Sequence, residues 1–238
     1  MQEENENQND LETQNNSVKT NSLRAAVLGA NDGIVSVAGI VVGVAGATSA
    51  NSAIFTAGIA GLVAGALSMA AGEYISVSSQ RDTERALIEK EKYEIDNFPE
   101  EEFKELTKMY QEKGLSPETA KLVARELTDN DVYAAHIDIE LKLDPNDLTN
   151  PIHASVASAI SFTIGAFIPL IAIILSPTEL RLPITFSAVI IALILTGLAS
   201  SHFGGAKKIP ATIRIVLGGV IAMLITYGIG RFVGVNIH

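Results

Sequence analysis

Five long apolar stretches dominate the chain: about Ala25 to Ala47, Ala53 to Val77, His153 to Leu175, Leu182 to Ser201 and Ala211 to Val233. As helices rising about 1.5 Å per residue, each is long enough to cross about 30 Å of hydrocarbon. Between the second and third stretches, residues 80–150 change character. Polar residues prevail there, and Pro99, the group Gly114, Ser116 and Pro117, and Pro145 divide the segment into three or four helices. No breaker stands between Met69 and Asn97, so the first of these helices continues the second apolar stretch. Ser116 and Pro117 have the form of an N-cap followed by a first helical residue. The pattern predicts an all-α protein, a five-span transmembrane helical bundle with a cytosolic acidic insert of three to four helices between spans two and three. Its expected divisions are a disordered tail over 1–22, spans one and two over 23–79, the insert over 80–150, and spans three to five over 151–238.

Charge sharpens this division. The chain carries a net charge of −10, yet nineteen of its 27 Asp and Glu fall between Gln80 and Asn150, five lie before Ser22, and the others are Asp32, Glu73 and Glu179. The basic residues orient the spans. Lys19 and Arg24 precede span one, ten Lys and Arg lie in the insert, and Lys207, Lys208 and Arg214 join spans four and five, all on one side, which the positive-inside rule makes cytosolic. Arg181 and Arg231 remain for the other side, together with the C-terminus. The acidic, Asn/Gln-rich start lacks the basic region of a secretory signal and is expected to be disordered and cytosolic. With no cysteine, thiolate sites are excluded. An acidic insert without basic and aromatic stripes argues against nucleic acid. Glycines four apart, at 29 and 33, 39 and 43, 61 and 65, and 230 and 234, favour close helix packing and a homodimer; small residues are also simply common in membrane helices.

Within the apolar stretches the acids are Asp32 and Glu73, and an ionised carboxylate in a bilayer is a functional hypothesis because of its cost. Met69 and Glu73, four apart, share a helix face and offer a thioether beside a carboxylate, a pairing suited to a borderline cation such as Fe(II). The alternative is that Asp32 caps a broken helix and Glu73 pairs with Arg81 near the interface. In the insert, Glu84, Glu91 and Glu94 line one helix, Glu102 and Glu105 the next, and His136 and Glu140 the last. Carboxylates that face one another repel unless a cation lies between them, so bundling would make a metal site. A solvated acidic face balanced by Lys90, Lys92, Lys104 and Lys108 is the plainer reading.

The stretches Gly29-Ala-Asn-Asp-Gly-Ile-Val-Ser36 and Ser68-Met-Ala-Ala-Gly-Glu-Tyr-Ile-Ser-Val-Ser-Ser-Gln-Arg-Asp82 resemble those of the vacuolar iron transporter family, over nearly everything from Leu23 onward. The resemblance implies a homodimer, not an enzyme, that moves Fe2+ and often Mn2+ out of the cytosol in exchange for protons. It implies a path lined by Asp32 and Met69, with Glu73 in the same motif. It further implies metal ligands at Glu91, Glu94, Glu102 and Glu105, with an acid of the last insert helix matched to Glu140. Plant members carry methionines in that last helix; residues 132–143 have none, and His136 is the substitute. The membrane would be the cell membrane of a prokaryote or a vacuolar-type membrane of a eukaryote. Two other readings stand beside this one. A membrane-bound ferroxidase would use Glu-x-x-His pairs, which do not occur here. A metal sensor would use the spans as an anchor.

Overall fold

The computed structural model describes residues 26–143, 149–203 and 207–237, so the expected tail over 1–22 and the break at Pro145 lie outside the described residues. The described residues form seven α-helices: α1 (Ala26–Ala47), α2 (Asn51–Asn97), α3 (Pro99–Glu112), α4 (Pro117–His136), α5 (Pro151–Leu175), α6 (Arg181–Phe203) and α7 (Lys208–Ile237). A π-helical turn, Ile137–Leu141, extends α4. No strand occurs among these residues. Five helices, α1, α2, α5, α6 and α7, are long and apolar enough to cross a membrane, and the protein is a multi-pass membrane protein. The described residues resolve into two compact units, divided after residue 74 and after residue 151, the second unit lying between these divisions in sequence.

In the first unit α1 is the hub. Ile34, Val37, Ala38, Val41 and Val42 are buried, and they form one apolar core with Phe162, Ala166 and Leu170 of α5, Val189 and Leu193 of α6, and Met223 of α7. Glycine sets how near the helices come. A Cβ on Gly33 would strike the Phe162 carbonyl, one on Gly165 the Ala30 carbonyl, and one on Gly230 the Gly43 carbonyl. The helices thus meet backbone to backbone, as small residues permit where lipid offers no hydrophobic drive to association. Gly230→Val should therefore push α7 off α1. The expected loss is about 1–3 kcal/mol, the usual cost of overpacking, read as a lower melting temperature in detergent. On α5 the buried face carries Ser155, Ser158, Phe162, Gly165 and Pro169, while Ile152, Val156, Ile160, Ile164 and Ile171 are exposed. An exposed face more apolar than the buried one is what a lipid solvent selects.

The second unit contains the end of α2, α3, α4 and the π turn. Leu106, Ala124, Ala135 and Ile139 form its core, with Phe103, Met109, Tyr110 and Leu127 around them. α2 is unbroken to Asn97, because neither Gly nor Pro interrupts it after Gly72. α3 starts on Pro99 with Glu100, Glu101 and Glu102 in its first turn, where the amide dipoles favour negative charge. Ser116 caps α4 as its position predicts, its hydroxyl accepting from the Thr119 amide at 3.2 Å.

α4 departs from regular helix at Asp131 (φ −157°, ψ 100°), and the Asp131 carboxylate accepts from the Ala134 amide at 3.0 Å. The residue thus acts as a second N-cap inside the helix and restarts it on a new course. The π turn follows and ends at Lys142, in the left-handed region (φ 52°). The kink and turn occupy the residues that bear His136 and Glu140.

Candidate metal centre

The second unit draws four side chains from three helices and the π turn to one point. Glu91 comes from α2, Glu102 from the first turn of α3, His136 from the end of α4 and Glu140 from the π turn; one donor atom of each lies within 4.8 Å of all the others. Glu91 and His136 are buried, at 3% and 0% exposure. His136 Nδ1 is 3.0 Å from Glu91 Oε1 and 3.7 Å from Glu102 Oε2. Its Nε2 and the Oε2 of Glu140 are buried without a hydrogen-bond partner. Buried polar atoms are normally paired, and orphaned ones mark a place where a ligand can complete the set.

The electrostatics follow from crowding acids away from water. Burial raises the Glu91 and Glu102 carboxyls above the ordinary range, with Glu102 and Glu105 respectively as the next contributions. Glu140 is pushed up to about 7, first by burial and then by Glu91 and Glu105. Burial lowers the His136 imidazole, keeping it neutral near neutral pH. Three carboxylate oxygens and a neutral imidazole form a donor set for a divalent first-row cation, whose charge would relieve the repulsion that holds a proton in the cluster.

A pH dependence follows. Above the ordinary imidazole value of 6.5, His136 is neutral whether the chain is folded or not, and the acids decide the sign. Glu140 binds its proton up to about 7 when folded, against 4.5 for the free side chain, so the folded state holds more protons and stability falls as pH rises through this window. Metal must displace the same proton. Between pH 6.5 and 8, the melting temperature of metal-free protein should fall while metal affinity rises, measured by thermal melting and titration calorimetry at several pH values.

Of the other predicted insert residues, Glu94 and Glu105 act on this group through their charge, and Glu84 is not brought to it. Glu105 is exposed and acts on it through its field. Glu94 pairs with Lys90 at 2.8 Å, and Glu84 accepts from Gln80 Nε2 at 2.7 Å. In the first unit Asp32 sits within unbroken α1, not at a helix break, and accepts from Ser36 Oγ at 2.8 Å. Beside it the Oδ1 of Asn31 is buried and unpartnered. Met69 is partly buried against the apolar core, and Glu73 is half-buried. Sequence reasoning passed over Asn31, whose only signal was its place beside Asp32. It also passed over the Asp131 kink, signalled by Asp129, Asn130 and Asp131, cap-forming residue types in a helix interior.

Five membrane-length helices with a carboxylate and histidine cluster in a separate unit define a helical membrane protein with a candidate divalent-cation site. A family model described as VIT family matches residues 23–231. The chain is 41% identical to the "Vacuolar iron transporter" of Acanthamoeba castellanii, over 87% of this chain and 77% of that protein. It is 36% identical to "Vacuolar iron transporter homolog 1" of Oryza sativa subsp. japonica, over 90% and 75%, and 34% identical to "Vacuolar iron transporter homolog 2.1" of Arabidopsis thaliana, over 89% and 81%. The chain belongs to the VIT family. Its relatives are named as transporters, not enzymes, which sets the ferroxidase reading aside.

Proposed function

We propose that this chain exports a divalent transition metal, Fe2+ and also Mn2+, from the cytosol in exchange for protons. The observation that carries the reading is the convergence of Glu91, Glu102, His136 and Glu140 in a chain of this family. Nineteen acids against ten bases give residues 80–150 a net charge of −9, which concentrates divalent ions around the insert. The four convergent donors hold the metal, Glu94 and Glu105 strengthen the field there, and Glu84 adds to the general negative charge of the insert. Met69, Glu73 and Asp32 pass the ion across the bilayer. A proton arriving from the far side on a membrane-embedded carboxylate releases the metal and returns inward, which couples the two fluxes. The distribution of Lys and Arg supports a cytosolic N-terminus and insert, with the C-terminus opposite. Membership of this family supports a homodimer; the glycines four apart in the spans pack helices within one chain.

Fe2+ uptake into proteoliposomes under an imposed pH gradient tests this directly. Uptake should follow the gradient, reverse with it, and collapse when a protonophore dissipates it. Metal flux indifferent to the gradient would overturn the exchange, and metal binding with no flux at all would make the chain an anchored sensor.

A further inference from the structure

A second polar site lies at one end of the first unit. The start of α2, the last turns of α5 and the start of α6 line an open-mouthed cavity of about 300 Å³, with Asn51, Ser52, Phe55, Ile174 and Arg181 among its walls. Arg181 is 5% exposed. Its guanidinium donates to the Ser49 carbonyl at 3.3 Å, to Asn51 Oδ1 at 2.6 Å and to Thr178 Oγ1 at 2.9 Å. Every one of those acceptors is neutral, and among the described residues no carboxylate forms an ion pair with it. Three bonds leave part of the five-donor fork unused, and Nε is buried with no partner. A guanidinium this buried without a counter-charge is costly, so an anion reaching its unused donors from the cavity would be favoured.

The surroundings favour an anion. α2 begins at Asn51 and α6 at Arg181, so the positive ends of two helix dipoles face this region. The lining also changes character along α2. Asn51 and Ser52 stand at the helix start, while Ile54 and Phe55 follow one turn on, joined by Ile173 and Ile174 of α5. A polar, positively charged mouth over an apolar wall at the end of membrane-length helices matches a phosphate group with hydrocarbon attached.

We propose that this cavity binds a phosphate group, with Arg181 as its counter-charge, Asn51 and Ser52 as polar neighbours, and Phe55 and Ile174 receiving the apolar part of a phospholipid. The site is separate from the metal cluster and from the path residues, and it stands whether or not the transport reading does.

Native mass spectrometry of the full chain in detergent tests it, with phosphatidylglycerol, diacylglycerol and inorganic phosphate as probes. Phosphatidylglycerol should bind unmodified protein at least tenfold more tightly than Arg181→Gln, and diacylglycerol, which lacks the phosphate, should show no such difference. Ser52→Asp carries the test even if Arg181→Gln fails to fold. By placing a carboxylate in the cavity it should raise the lipid-free melting temperature and abolish the phosphatidylglycerol adduct. Inorganic phosphate that binds with the same dependence on Arg181 and displaces the lipid would support the site with free phosphate as its source. Phosphatidylglycerol bound no better than diacylglycerol, or an adduct and melting temperature unchanged by Ser52→Asp, would overturn the proposal and leave Arg181 as a tie between two loops.

Discussion

Asp32→Ala should abolish Fe2+ flux in proteoliposomes while leaving the protein folded. The alanine removes a formal charge from the second turn of α1, the helix against which α2, α5 and α7 pack through their glycines. Losing one ionised ligand from a desolvated path costs about 3 kcal/mol, roughly a hundredfold in rate. The fold survives because, among the described residues, the Asp32 side chain loses one hydrogen bond, that from Ser36 Oγ, which can turn to the helix carbonyl four residues back. Asp32→Asn is the control. It keeps the acceptor for Ser36 but not the charge, so it should be as inactive as the alanine. Flux restored by asparagine would show that Asp32 only fastens α1, and the transport path would have to be sought elsewhere.

The second large effect concerns binding. Glu91→Gln with Glu102→Gln should weaken metal binding on the order of a thousandfold by titration calorimetry, taking about 2 kcal/mol for each charged ligand removed. Transport should fall only several-fold at saturating metal, because ions can still reach Asp32, Met69 and Glu73 from bulk solution. The double variant should also melt higher than unmodified protein when metal is absent. Both glutamates are forced up from the ordinary carboxylate range by burial and by neighbouring acids, and glutamine removes that repulsion while still accepting from His136. A structural cluster would behave in the opposite way, losing stability with its charges. Unchanged affinity with lowered stability would therefore remove these residues from the metal site.

Much of this architecture is legible in the sequence. The five spans depend on apolar length, a property of each stretch by itself, so helices at Ala26–Ala47 and Pro151–Leu175 appear where the pattern places them. The unbroken course of α2 and the Ser116 cap are equally local, set by the absence of a breaker and by one hydroxyl. Spacing grouped seven insert residues on helix faces, and the family resemblance, not the spacing, favoured them as metal donors.

Which of the seven meet was decided by tertiary structure. Helical spacing puts Glu84, Glu91 and Glu94 on one helix, but only the rotation of α2 against α3 and α4 brings Glu91 inward while Glu94 turns to Lys90. Glu91 is buried on α2 together with Ile88 and Ile95, one turn before and after it, while Leu106, Ala124 and Ile139 pack α3, α4 and the π turn together. The Asp131 kink and the π turn carry His136 and Glu140 to the same point, and neither involves a glycine or proline that could announce it. Arg181 shows the same limit: in the sequence it is a lone basic residue beside a span, and only the packed helix ends bury it among neutral oxygens. Neighbours along the chain set helix lengths and caps, whereas convergence depends on how rigid helices settle against one another, and that is written in contacts between residues dozens of positions apart.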